Sequence, residues 1–337
     1  MKRDIIVVGA SAGGVAALRT LAAGLPAGLD ASVFVVMHVA ADGPGFLPQI
    51  LQGDCALPVE HARDGEPIAP GRVYVAPADH HLVLERDRVR VTRGPRENMS
   101  RPAIDPLFRS AAYFFGPRVV GVILTGRLDD GTAGLWAVKR RGGAAVVQDP
   151  EEALYPSMPR SALRHVEVDG VARVSDLAPL LVRLTREPPA EEEPAASEAL
   201  EVETRIAVED NALQAGVMKL GPLTPFTCPE CHGVLVSVGE GGVPRFRCHT
   251  GHAYSMESLL TAVSDSMEDT LWSAIRSMEE GMLMLRHVAR HVRENGQDER
   301  GAEAFERKAR EAERYSELVR RAVTRQEALG GELARGP

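Results

Sequence analysis

Two groups of residues in this chain have the types and intervals that chemistry requires. The first centres on Ser11, within Gly9-Ala10-Ser11-Ala12-Gly13-Gly14. An apolar β-branched run, Ile5-Ile6-Val7-Val8, precedes it, and Val15-Ala16-Ala17-Leu18 opens an apolar helix after it. A strand, a glycine turn and a helix serve either a dinucleotide, through G-x-G-x-x-G, or a serine nucleophile, through the G-x-S-x-G elbow. Ser11 replaces the middle glycine, so the elbow fits as written. His38 closes a second buried-type strand, Ser32 to Met37, where a dinucleotide site would want an acid. Asp129 and Asp130 follow a third, Val119 to Leu124. Each residue alone has a plainer reading: a turn serine, a structural histidine, an aspartate capping a helix at Thr132. A hydroxyl, an imidazole and a carboxylate at three strand ends of one sheet are together the parts of a serine-hydrolase triad.

The second group is Cys228-Pro229-Glu230-Cys231, followed 17 residues later by Cys248-His249-Thr250-Gly251-His252. A C-x-x-C knuckle and a second pair across a hairpin is zinc-ribbon spacing, because two tight turns converge on one tetrahedral ion. Val234 to Val238 and Val243 to Arg247, around Gly239-Glu240-Gly241-Gly242, supply the hairpin. Cys228, Cys231 and Cys248 are three ligands. A C-x-x-x-H reach favours His252 as the fourth, with His249 the runner-up. Four protein ligands leave no open position, so the zinc is expected to be structural and catalysis to need no cofactor. Cys55 stands alone and reads as a small buried hydrophobe.

The triad candidates need a sheet. From Asp4 to about Arg186, short apolar runs alternate with helical spacings such as Leu107, Phe108, Ala111, Ala112 and Phe115. The pattern predicts an α/β fold: a doubly wound, mostly parallel sheet with a β-hairpin insertion at His81–Leu84 and Val89–Thr92. Residues 187–222 read as an acidic, proline-rich linker, with a short docking helix at Ile206 to Met218. The zinc ribbon occupies 223–254. Residues 255–330 read as an antiparallel helical hairpin, broken at Asn295-Gly296 and ending near Gly330-Gly331. Its methionine-rich stripe, including Met267, Met278 and Met282, is expected to form the hairpin's own core.

The net charge of −8 resides in one place: Glu187 to Asp210 hold nine acidic residues and one basic, Arg205. The rest is balanced, which argues against nucleic-acid binding. No apolar run has the length of a membrane span, and Met1 to Asp4 lead straight into a strand, so a cytoplasmic protein without membrane insertion is expected.

Five motifs in order carry a family resemblance: Gly9-Ala10-Ser11-Ala12-Gly13-Gly14, Val36-Met37-His38, Arg101-Pro102-Ala103-Ile104-Asp105, Leu124-Thr125-Gly126 with Asp130-Gly131, and Gln148-Asp149-Pro150 with Ser157-Met158-Pro159-Arg160. Residues 4 to 186 resemble the catalytic domain of the CheB-type chemotaxis receptor methylesterases, the protein-glutamate methylesterase/glutamine deamidases. The resemblance implies a Ser11, His38, Asp130 triad. It further implies an oxyanion site at the backbone N–H groups of Ala12 and Arg127, and methylated chemoreceptors, or a similar helical signalling protein, as partners. The chain departs from the family at Ala12, where threonine is common, and at Arg127-Leu128, where Met-Gly is common, and it is expected to lack the receiver domain that usually precedes this catalytic domain. Two other readings stay open: the same triad on a non-chemotaxis protein methyl ester, and a non-catalytic scaffold acting through the C-terminal helices. Self-association through the hairpin is a further expectation.

Overall fold

The computed structural model describes residues 2–189, 193–209, 211–240, 242–296 and 298–325. They fall into two compact units, divided between Leu259 and Leu260.

The first unit begins with β1 (Ile5–Ala10), α1 (Gly14–Ala23), β2 (Ser32–Met37), α2 (Leu47–Gln52), β3 (Val59–His61) and β4 (Val73–Val75). A hairpin, β5 (His81–Leu84) with β6 (Val89–Thr92), precedes α3 (Ile104–Phe115). Then come β7 (Val119–Ile123), α4 (Thr132–Arg140), β8 (Ala144–Gln148), α5 (Ser157–His165), β9 (Gly170–Ala172) and α6 (Val174–Arg186). Seven strands form one sheet in the order β3-β4-β2-β1-β7-β8-β9, and every neighbouring pair is parallel. The strands read as unbroken apolar runs because both faces are covered. Leu18 and Leu21 of α1, Leu51 of α2 and Leu177 and Leu181 of α6 bury one face. Leu107 and Phe108 of α3, Leu135 of α4 and Met158 of α5 bury the other. The strand order reverses about β1, so the crevice for a site opens at its carboxyl end.

The stretch expected to be a linker differs. It holds α7 (Glu198–Glu209) and α8 (Ala212–Ala215), and Leu200, Val202 and Ile206 are buried. Thr92 Oγ1 of β6 donates to Ala207 O at 2.9 Å. Glu198, Glu201 and Glu209 on the outer face of α7 dilute the composition, but its buried side carries Leu200, Val202, Ile206 and Ala207 beside Glu203 and Thr204. Four further strands, β10 (Leu223–Thr227), β11 (Val234–Val238), β12 (Arg245–Cys248) and β13 (Ala253–Ser255), make an antiparallel sheet where the ribbon is expected. Its Val236 and Val238 pack against α7 and α8, so this small sheet shares a core rather than lacking one.

α9 (Met256–Glu294) starts in the first unit, and with α10 (Glu299–Arg325) it makes up the second. Arg320 pairs with Glu279, Arg286 with Glu313 and Arg293 with Glu306, a progression that defines an antiparallel hairpin. Met267, Met278 and Met282 of the stripe are half-buried, and Ile275 beside them is buried. The expected helix end near Gly330-Gly331 lies outside the described residues.

Candidate active site and metal centre

β1 ends in a turn whose Gly13 takes the left-handed conformation, φ 76°, which costs glycine nothing and other residues about 1 kcal/mol or more. The turn holds Ser11 at the sheet's rim, with Ser11 N donating to Thr125 O of the loop after β7 at 3.0 Å. Gly126 makes that approach feasible. A Cβ there would lie 1.9 Å from Met158 Sδ and 2.9 Å from Ser11 Cβ. Thr125 ties the loops together, its Oγ1 donating to Ala12 O at 3.1 Å and accepting from Tyr155 N at 2.9 Å.

His38 leaves β2 beside β1, its N donating to Ala10 O at 3.1 Å. Its Nε2 lies 2.7 Å from Asp130 Oδ2. Asp130 is 2 % exposed and is met by donors on both oxygens. Oδ2 also accepts from Ile104 N at 2.7 Å, and Oδ1 accepts from Asn98 Nδ2 at 2.8 Å and Asp105 N at 3.3 Å. Ile104 and Asp105 open α3, whose N-cap residue Ala103 has no side-chain oxygen to offer. Asp130 therefore does the capping from another loop, where the helix dipole favours negative charge. Burial works to raise the Asp130 pKa, but the His38 hydrogen bond and charge, with the Ile104 and Asn98 donors, outweigh it and hold the carboxyl below its usual range. An ionised Asp130 fixes the proton of neutral His38 on Nε2 and leaves Nδ1 with a free lone pair. Nδ1 and the Ser11 hydroxyl have no hydrogen-bond partner among the described residues. The same holds for the backbone N–H groups of Ala12 and Arg127. The Arg127 guanidinium is drawn over the Tyr155 ring, 5.0 Å from its centroid.

Two neighbouring carboxyls behave differently. Burial, then the Asp130 charge, push Asp105 up to about 7. Burial pushes Asp129 up to about 7 although Ser255 Oγ donates to its Oδ1 at 2.6 Å.

The cysteines and His252 also converge. Ligand atoms of Cys228, Cys231, Cys248 and His252 all lie within 4.8 Å of one another. His252 Nδ1 is 3.7 Å from Cys228 Sγ and 3.5 Å from Cys248 Sγ, and the Cys231 and Cys248 sulfurs are 3.6 Å apart. Tetrahedral thiolate ligation, with metal–sulfur bonds of about 2.3 Å, needs separations of roughly 3.8 Å. The four residues can therefore hold a metal ion. Glu230 Oε2 lies 3.2 Å from His252 Nε2 and orients the ring so that Nδ1 faces the thiols. His249 stands outside the cluster, its ring against Gly233.

The CheB methylesterase family profile matches residues 6–181. A Leptospira interrogans protein, provisionally described as a protein-glutamate methylesterase/protein-glutamine glutaminase, is 40 % identical over 185 residues, covering 55 % of this chain and 96 % of the relative. The chain belongs to the CheB methylesterase family. An Anaeromyxobacter dehalogenans protein-glutamate methylesterase/protein-glutamine glutaminase is 40 % identical over 186 residues, covering 54 % of this chain and about half, 51 %, of that relative. The crystal structure of the Thermotoga maritima CheB methylesterase catalytic domain superposes with a TM-score of 0.52 at 33 % identity, over 55 % of this chain and all of that one.

The methylesterase region contains more of the site than sequence reasoning singled out. Asn98 and Asp105 contact Asp130, and Ser255 and Ser258, beyond the family match, contact Asn98. Asp105 lies within one of the resemblance motifs and Ser255 reads from the sequence as the cap of the long helix, but nothing in the sequence marks Asn98 or Ser258, or ties Ser255 to this site, because their partners are distant along the chain. A buried ionic cluster was also missed. Arg109 pairs with Glu97, and Arg247 Nη2 reaches Glu97 Oε1 at 2.8 Å and Glu203 Oε1 at 3.1 Å.

Proposed function

We propose that this enzyme hydrolyses glutamate γ-methyl esters on the helical cytoplasmic domains of chemoreceptors, and deamidates glutamines there, with Ser11 as nucleophile. The observation that carries this reading is the 2.7 Å contact of His38 Nε2 with a buried, four-fold hydrogen-bonded Asp130, next to the Ser11 strand end. The activity by which the relatives are named supports the substrate class. His38 Nδ1 takes the Ser11 Oγ proton as Oγ attacks the γ-carbonyl carbon. Asp130 keeps the imidazole in the right tautomer and stabilises the imidazolium. The tetrahedral oxyanion is met by the Ala12 and Arg127 N–H groups. His38 then protonates the departing methoxy group, methanol leaves, and water, deprotonated by His38, releases the glutamate and restores Ser11. A glutamine takes the same course and releases ammonia. The substrate assigned implies a cytoplasmic location.

We further assign zinc to Cys228, Cys231, Cys248 and His252, as a closed structural site. Exposed Leu283, Met284 and Leu318 on the hairpin support self-association or contact with a helical partner.

Incubation of the full chain with receptor carrying labelled methyl esters tests the catalytic reading. Wild type releases methanol, and Ser11→Ala and His38→Ala release at least about 1,000-fold less. Equal release from Ser11→Ala, or none from wild type, would overturn it.

A further inference from the structure

Asn98 joins the candidate triad to a part of the chain that lies beyond the family match. It is 8 % exposed and has φ 48°, a left-handed conformation that asparagine tolerates better than most residues. Its Nδ2 donates to Asp130 Oδ1 at 2.8 Å and to Asp105 Oδ2 at 3.2 Å. Its Oδ1 accepts from Ser255 N at 2.9 Å and Ser258 Oγ at 3.0 Å. Its backbone N donates to Ala253 O at 2.8 Å, and Ala253 N donates back to Arg96 O at 3.2 Å. A backbone N–H can only donate, so Ser255 N fixes which end of the amide is oxygen and leaves the NH2 end for the two carboxylates.

We propose that Asn98 is a positioning residue for Asp130, and that the Cys3His ribbon, through Ser255 and Ser258 at its exit, holds Asn98 in place.

The inference rests on the reading of Ser11, His38 and Asp130 as a triad. The groups facing Asp130 are His38 at the end of β2, Asp105 of α3, the adjacent Asp129, and His81 of β5 within electrostatic reach. Two buried carboxylates, Asp105 and Asp130, share the single Asn98 NH2 group. Without that donor their repulsion is unrelieved, and Asp130 loses its main restraint on the side away from His38. The restraint on Asn98 comes in turn from the first turn of α9. Ser255 Oγ also accepts from Ser258 N at 3.0 Å, as a helix N-cap does, so one serine caps α9 and anchors Asp129 together. Only two residues, Ala253 and Tyr254, separate His252 of the metal cluster from Ser255. Tyr254 is buried, and its hydroxyl lies 3.6 Å from Cys228 Sγ and donates to Glu230 at 3.1 Å. The metal cluster and the Asn98 contact are thus held by one short, buried strand, so loss of an ion bound by the four ligands would loosen the strand that leads to Ser255.

The test uses the full metal-loaded chain, with Asn98→Gly to remove the amide without backbone strain, Asn98→Asp to replace a donor by an acceptor at constant shape, Ser255→Ala/Ser258→Ala, and Ser258→Thr to retain the hydroxyl. Thermal denaturation shows which variants are folded. Ester hydrolysis is split into kcat and KM, and the low-field proton on His38 Nε2 is observed by NMR, independently of activity. Both Asn98 variants are expected to lose about 10- to 100-fold in kcat with KM changed less than about twofold, and to lose the His38 proton signal to exchange. The serine pair follows with a smaller loss, Ser258→Thr restores the wild-type values, and chelation of the metal reproduces the serine-pair effect on the His38 signal. A folded Asn98→Gly protein with wild-type kcat and His38 signal overturns the proposal. Metal removal that leaves that signal unchanged overturns the ribbon's part in it. If wild type hydrolyses no ester while Asn98→Gly still abolishes the His38 signal, the functional reading fails and the positioning role stands.

Discussion

Asp105, Asp129 and Asp130 crowd one buried loop system, yet they do not share a protonation state. Asp130 collects donors on both oxygens and stays ionised, while Asp129 has the Ser255 hydroxyl and little else, and is pushed by burial up to about 7. The native state therefore binds the Asp129 proton more tightly than the unfolded chain, whose aspartates titrate near 3.9. Stability falls as pH rises between these two values and levels off above about 7. Asp129→Asn removes the charge at constant shape. The variant is expected to melt a few degrees above wild type at pH 8, from about 1–2 kcal/mol of relief, and to match it at pH 4. Melting curves at the two pH values check this, and an equal shift at both would refute the electrostatic account.

Among the elements, β12 combines what is legible in the sequence with what is not. The alternation Arg245-Phe246-Arg247 puts the two arginines on one face of a strand, and charged side chains in such a pattern ordinarily face water. Instead Arg247 is fully buried, because Glu97 and Glu203 wait on the other side. Glu97 lies 150 residues away along the chain, beyond the reach of any local pattern. β1, β2 and β7 are readable because doubly covered strands need unbroken apolar runs, and their ends carry Ser11, His38 and Asp130. The cysteine spacing is readable because a knuckle is a local object. α7 is not, since its acidic outer face hides the Leu200, Val202 and Ile206 stripe. Arg247 also donates to Gly251 O at 2.8 Å, and this forked set cannot be met by an ammonium. Both Arg247→Lys and Arg247→Ala are expected to destabilise the chain, the latter by about 3–5 kcal/mol through uncompensated buried carboxylates. Urea titration measures the loss. A change under about 1 kcal/mol for Arg247→Ala would show that the cluster is solvated.

For the whole molecule, the family match ends before the parts that complete the first unit's interior. The Leptospira relative, provisionally described as a methylesterase, is little longer than the matched 185 residues. In this chain, by contrast, part of the methylesterase region's surface is covered by α7 and the small antiparallel sheet. Glu97 and Arg109 are buried beneath α7 and β12, and Thr92 Oγ1 is committed to α7. Truncation after Arg186 is expected to give a protein that melts well below the full chain and binds a hydrophobic dye, because Leu200 and its neighbours no longer cover α3. Calorimetry of the truncated and full chains, with and without a metal chelator, checks this. Equal melting temperatures would show the C-terminal half to be an independent attachment.

The burial of Arg247 has a consequence for the order of events in synthesis. Ribosomes deliver a chain from its N-terminus, so every strand of the seven-stranded sheet, down to Ala172, emerges well before Arg247 does. During that interval Glu97 lacks one of its two arginine partners, and Asn98 lacks Ser255 and Ser258 altogether. A nascent chain therefore carries a complete sheet before Asn98 has its serine partners, which arrive only when Ser255 and Ser258 have been made and folded back.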